Sequence, residues 1–267
     1  MGITWSLTND CSLMPQEFIA HTTEQNTPSK SVKRLCRLAL KVLSFESSVG
    51  WENFEVLNQD YFALRMALAC HYRHKSMTLQ ELYEGAWVGE SASLARVRLD
   101  TKAIGTVGKL STRYPQSEED LEVGVVYRNA NGAACDLVTA LTLEGEPSNN
   151  KQLLMFHECK HTRIPLGESG TVANAVDVEE ALTKVESALA KSGKENQPYA
   201  LVFISNRPFK SAGDSPLALE LESRAKLTNA VVIVRDNCID YVGPSFAPRF
   251  LGYLEPWEGV ESERDNE

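Results

Sequence analysis

The stretch Leu153-Leu154-Met155-Phe156-His157-Glu158-Cys159-Lys160-His161 starts apolar and ends polar. It reads as a strand that leaves a core and finishes in water. Residues two apart on a strand share a face, so Glu158 and Lys160 project side by side. Downstream, Asp177 to Lys191 carries Val178, Ala181, Leu182, Val185 and Leu189 at helical spacing, with Gly193 as a stop. Tyr199 to Ser205 and Ala230 to Val234 are nearly continuous apolar runs, as strands covered on both faces are. Upstream, Val123 to Tyr127 and Ala133 to Leu143 flank Asn131-Gly132, a turn that supplies positive φ and predicts a hairpin. The fold class that follows is α/β, a mixed central sheet flanked by helices.

Further out, Ser31 to Leu43 is a basic amphipathic stretch, and Gln59 to His74 predicts a helix with Phe62, Met66, Ala69 and Cys70 on one side. Thr78, with Glu81 three residues on, starts a short helix to Ala86. Ala95 to Leu99 alternates as a strand, and Pro216 to Lys226 reads as a helix. The chain divides into a helical N-terminal extension (1–54), a main domain (55–254) and a charged tail (255–267) expected to be disordered.

Of the 267 residues, 43% are hydrophobic and 24% charged, which excludes wholesale disorder and fibrous repeats. No run of about 18 apolar residues exists to cross a membrane. The net charge of −9 argues against a nucleic-acid partner until its distribution is seen. Glu255 to Glu267 holds six acids and one base, leaving −4 for everything else. Between Ser93 and Gln116, five bases (Arg96, Arg98, Lys102, Lys109, Arg113) face one acid, Asp100. Screening makes such local charge count for more than the total, so the strip suits phosphates. It equally suits a solvated strand pair. The six cysteines are scattered with no CxxC, and no secretory signal is present, so an intracellular protein with reduced thiols is expected. Met1-Gly2-Ile3-Thr4-Trp5-Ser6 fits the loose myristoylation pattern, which short matches often do by accident.

Asp136 lies among apolar neighbours in Ala134-Cys135-Asp136-Leu137-Val138. A lone buried carboxylate costs several kcal/mol unless a cation pairs with it. Asp136 and Glu158 on neighbouring strands, with Lys160 beside them, are the parts needed for metal-assisted phosphodiester hydrolysis. Mg²⁺, or Mn²⁺, takes one or two carboxylates and leaves room for water and phosphate. Three plainer readings compete. Glu158 and Lys160 could form a surface ion pair of little energetic weight. His157, Cys159 and His161 alternate as zinc ligands would, although three ligands on one strand rarely converge. Ala103 to Leu110 approaches a phosphate-binding loop but lacks its first Gly and its final Ser/Thr.

Asp136, then Glu158-Cys159-Lys160 after a hairpin, followed by a helix and a strand, resembles the PD-(D/E)xK, restriction-endonuclease-like nuclease superfamily. Glu158-Cys159-Lys160-His161, Phe203-Ile204-Ser205-Asn206-Arg207-Pro208 and Tyr241-Val242-Gly243-Pro244 with Phe246-Ala247 resemble more narrowly the Crinkler effectors and retrotransposon hot-spot proteins. The resemblance spans roughly residues 55 to 250, without the Crinkler translocation module. It implies Asp136 and Glu158 as ligands of Mg²⁺ or Mn²⁺ and Lys160 as the catalytic cation. It also implies a further acid from the helix before the sheet, for which Glu84, or else Glu81, is the candidate. DNA is the implied substrate, RNA the second choice, and the nucleus the implied location. The competing expectation is a non-cleaving member that binds nucleic acid or protein.

Overall fold

The computed structural model describes residues 30–45, 51–72, 76–99, 102–116, 120–145, 152–161, 172–210, 216–244 and 246–251. The acidic tail and the myristoylation pattern lie outside them. A mixed, curled nine-stranded sheet forms the centre, flanked by helices. The helices before the sheet are α1 (Lys30–Leu43) and α2 (Trp51–Tyr72). The first strands are β1 (Ser76–Thr78), β2 (Trp87–Val88) and β3 (Arg96–Arg98), with short helices α3 (Leu79–Leu82) and α4 (Glu90–Leu94) between them. The middle of the chain supplies β4 (Thr106–Lys109), β5 (Val125–Arg128), β6 (Leu137–Leu143) and β7 (Gln152–Lys160). Helix α5 (Ala175–Lys191) leads to β8 (Tyr199–Ser205), and α6 (Leu217–Glu222) with a 3₁₀ turn (Ala225–Asn229) leads to β9 (Ala230–Ile233). Helices α7 (Arg235–Val242) and α8 (Ala247–Leu251) follow.

Across the sheet the order is β1-β3-β6-β7-β8-β9-β2. Strand β5 pairs with the first half of β6, and β4 lies outside β5. The β5-β6-β7 meander is antiparallel, whereas β8 returns parallel to β7 after the α5 crossover, and β9 parallel to β8. Strand alternation splits the interior into two layers. Leu153 and Met155 of β7 join the layer beneath α1 and α2, while Leu154 and Phe156 join the layer beneath α5.

Local chemistry explains the element ends. The Asn174 side chain accepts from the Val176 and Asp177 amides while Asp177 accepts from the Asn174 amide, a capping box that starts α5. Thr78 and Glu81 do the same for α3. Gly85, at φ +92°, lets the turn after α3 press on α7, since a Cβ there would lie 2.2 Å from the Asp240 carbonyl oxygen.

The structure differs from the sequence expectation in several places. Helix α2 begins at Trp51 rather than Gln59, and runs through the boundary expected at 54/55. From Leu57 to Met66 every residue is buried, so no polar stripe marks the helix. Helix α1 packs on α2 within the same core. The segment expected as one helix over 216–226 breaks after Glu222 and resumes as the 3₁₀ turn. The near-miss phosphate loop is strand β4, paired in parallel with β5 rather than opening a helix. Among the described residues no helix is long and apolar enough to cross a membrane.

Candidate active site

Four strands finish together at one end of the sheet, where β6 begins. The register aligns Lys109 of β4 with Arg128 of β5, Arg128 with Leu137 of β6, and Leu137 with His157 of β7. Asp136 precedes Leu137, and Glu158 follows His157. The Asp136 amide also donates to the His157 carbonyl at 2.9 Å. Two residues of β6 thus meet one of β7, as at a β-bulge, a device that re-aims a side chain. The Asp136 carboxylate turns onto the β7 backbone, where Oδ2 accepts the Cys159 N–H at 2.6 Å. That bond fixes Asp136 next to Glu158.

Glu158 is 6% exposed. Its Oε1 sits 2.5 Å from Lys160 Nζ, as the shared strand face requires, and 3.9 Å from Lys184 Nζ of α5. A third acid comes from α2. The Gln59 amide donates to the carbonyls of Gly108 at 2.6 Å and Val126 at 2.7 Å, which pins α2 across β4 and β5. One turn earlier on the same helix face stands Glu55, within electrostatic reach of Arg128, Glu158 and Asp136.

Burial and the neighbouring carboxylates raise Asp136 and Glu55. Burial, then the charge of Glu158, pushes the Asp136 carboxyl up to about 7, with Glu55 adding to the rise; the Cys159 N–H and Lys160 oppose it only in part. Glu55 is raised by burial and by Glu52 and Glu158, against the pull of Arg128. Burial works against the Lys160 ammonium, yet its hydrogen bond to Glu158 and the charges of Glu158 and Asp136 hold it above its ordinary value. The end of the sheet thus gathers three carboxyls with the cations Lys160, Lys184 and Arg128, and burial is the first cause that keeps Asp136 and Glu55 raised.

The structure places Asp136, Glu158 and Lys160 together at this end of the sheet and Glu84 elsewhere. Glu84 sits in the turn after α3, where its carbonyl accepts from Arg65 at 2.8 Å. The carboxylates acting on Asp136 are Glu158 and Glu55. The helical acid at the pair is thus Glu55. Glu81 is engaged in the α3 cap. The only signal for Glu55 in the sequence was its place four residues before Gln59, and that required α2 to start earlier than its pattern suggested.

The zinc arrangement is not formed. His157 is completely buried, lies tilted against Phe62 with ring centres 4.6 Å apart, and has neither ring nitrogen hydrogen-bonded; burial lowers it to about 3. His161 lies against the Phe54 ring at 5.1 Å. Among the described residues no three His, Cys, Asp or Glu side chains are grouped as a ready-made metal cage. Mg²⁺ does not need one, because it keeps several waters and takes one or two carboxylates plus phosphate. The hard oxygens of Asp136 and Glu158 fit such an ion. Comparison with family models, with curated proteins and with solved structures finds no match to this chain.

Proposed function

We propose that the chain is a metal-dependent nuclease acting on DNA, of the restriction-endonuclease-like kind its sequence resembles. The observation that carries this reading is the placement of Asp136, fixed by the Cys159 amide, next to Glu158 and Lys160 at the end of the sheet, where burial and then Glu158 raise its carboxyl. A carboxyl so perturbed beside a specific charge partner is a candidate functional group. The order α2-β5-β6-β7-α5-β8, with β8 parallel to β7, agrees with the order the resemblance implies.

In this reading Asp136 and Glu158 hold Mg²⁺ or Mn²⁺, which supplies an acidified water and neutralises charge on the phosphate. Glu55 orients water on the α2 side. Lys160, carried two residues from Glu158, turns its ammonium to the phosphate oxygens as negative charge grows there. The Lys160–Glu158 contact at 2.5 Å favours a second reading, in which the closed ion pair is permanent and the fold binds nucleic acid without cutting it.

Incubation of supercoiled plasmid with Mg²⁺, with Mn²⁺ and with EDTA separates the two. Metal-dependent nicking that disappears in Asp136→Asn and Lys160→Ala, and falls at least tenfold in Glu55→Gln, supports the nuclease. Plasmid that stays intact yet is retarded in a gel shift supports the binding module. Activity unchanged by all three substitutions would rule out this site.

A further inference from the structure

The polar end of the sheet continues on the β8 side. Strand β7 runs parallel to β8, with Glu158 aligned to Phe203 and Lys160 to Ser205. Aligned residues share a face, and Phe203 belongs to the layer beneath α5, so Glu158, Lys160 and Ser205 all face α5. Ser205 and Asn206 are each 3% exposed, and the Asn206 amide donates to the Lys160 carbonyl at 3.3 Å. Beyond them the chain turns towards α5. The Ser205 hydroxyl accepts the Arg207 N–H at 3.2 Å, and the Pro208 carbonyl accepts the N–H of Ala173, which stands just before the α5 cap. Phe209 then bridges Ala173 in parallel. Arg207 is therefore fixed between the end of β8 and the start of α5, with its carbonyl held by the Arg235 N–H at 3.0 Å. It is half-buried and within electrostatic reach of Lys160.

Resting on the nuclease reading, we infer that Arg207 is a substrate-contacting residue, whose guanidinium takes the DNA phosphate on the α5 face beside Lys160. Two cations side by side repel, and an anion set between them turns that repulsion into attraction. A phosphodiester presents a pair of non-bridging oxygens. A guanidinium meets such a pair with two parallel N–H donors, a fit that the point charge of an ammonium does not offer. Lys160 is engaged with Glu158 at 2.5 Å, so the fork that β7 lacks is supplied from the end of the next strand. The Arg207 N–H and carbonyl are both bonded, and its side chain therefore starts from a fixed backbone rather than from a loose surface loop. Glu55 stands on the α2 side instead. The phosphate then approaches from the α5 side and water from the α2 side, which gives the two faces of the sheet end different tasks.

The test is fluorescence anisotropy with a labelled 20-base-pair duplex, in an Asp136→Asn background that removes turnover. Binding is measured over a range of salt concentrations. Arg207→Gln is expected to bind roughly tenfold more weakly, with a slope of log K against log salt smaller by about 0.9, the value of one phosphate contact. Arg207→Lys keeps the charge but not the fork, and is expected to keep the slope and bind a few-fold more weakly. The control Lys33→Gln removes an exposed charge from α1, in the other layer, and is expected to change neither. A purely structural Arg207 gives the reverse pattern, a lower melting temperature in both Arg207 variants at an unchanged slope, and that result would overturn the assignment. So would an equal loss in Lys33→Gln, or a parent protein that does not bind the duplex. If Arg207→Gln does not fold, Arg207→Lys decides, and binding as tight as the parent's counts against the contact. Plasmid nicking by wild type is scored separately. A slope change without nicking keeps the Arg207 contact and loses the nuclease; nicking without the slope change does the reverse.

Discussion

Arg65 and Asp136 are both charges taken largely out of water, and the fold treats them in opposite ways. Arg65 of α2 is 6% exposed, with no carboxylate among its hydrogen-bond partners. Its guanidinium instead donates to the carbonyls of Leu82 at 2.5 Å, Tyr241 at 2.7 Å and Glu84 at 2.8 Å, and lies 4.4 Å from the centre of the Tyr241 ring. One cation thereby ties α2 to the turn after α3 and to the end of α7. Asp136 receives one backbone N–H and the opposing charge of Lys160, and then faces two further carboxylates. A structural charge is surrounded by partners that suit it.

The largest expected effect comes from removing a carboxylate that burial, and then the charge of Glu158, disfavours. The Asp136 carboxyl titrates at about 7 in the fold against an ordinary 3.8. A raised carboxyl favours the folded state while it holds its proton. Its cost is absent below about pH 4, grows as pH rises between 4 and 7, and is complete above 7. The cost is on the order of 4 kcal/mol at one pKa unit per 1.36 kcal/mol. Urea unfolding of Asp136→Asn in EDTA should therefore show a protein more stable than wild type at pH 8 and equal to it at pH 4. A variant less stable than wild type at pH 8 would place Asp136 among the structural charges and break the contrast with Arg65.

Arg65→Met is expected to act in the other direction. It strands three inward-facing carbonyls and should cost about 3 kcal/mol, with little dependence on pH between 5 and 9. Its metal-dependent nicking, measured below its own melting temperature, should stay near wild type. A smaller effect tests an intermediate case. Lys41 of α1 reaches Asp60 of α2 at 2.7 Å, and the other Asp60 oxygen is buried with no hydrogen bond. Burial raises the Asp60 carboxyl, and Lys41 opposes the rise. Lys41→Met should cost about 2 kcal/mol at pH 8 and less at pH 4, where Asp60 can take a proton. Calorimetry at the two pH values reads the difference. The smallest effect is expected at Asn174→Ala, about 1 kcal/mol, from loss of the α5 cap far from any charge cluster.

What the sequence revealed, and what it hid, follows the same division. Strand β7, the α5 stripe and the apolar runs of β8 and β9 were legible because each has one period and one environment. Asp136 stood out because a carboxylate among Cys135, Leu137 and Val138 contradicts its surroundings. Helix α2 misled because Leu57 to Met66 is buried throughout, including Asn58, Gln59, Asp60 and Arg65, and polar residues inside a buried helix erase the stripe that marks its ends. With its start lost, Glu55 was lost too, and the acid was sought on α3 instead. Strand β4 was hidden because Thr106-Val107-Gly108-Lys109 is short and contains a glycine. That glycine is required by the neighbour, since a Cβ at 108 would lie 2.7 Å from the Tyr127 ring, and no sequence pattern encodes a partner 19 residues away.

The central proposal is that Asp136 and Glu158, although Lys160 and Lys184 lie beside them, take up a divalent cation from solution. Thermal unfolding at pH 8 with increasing Mn²⁺, on wild type and Asp136→Asn side by side, tests it most directly. Binding to the folded state alone stabilises by RT ln(1 + [L]/Kd), about 2.7 kcal/mol at a hundredfold excess over Kd. The account predicts a melting temperature that climbs with Mn²⁺ in wild type and stays level in Asp136→Asn. A wild-type protein indifferent to Mn²⁺, or a variant that climbs as steeply, would contradict it.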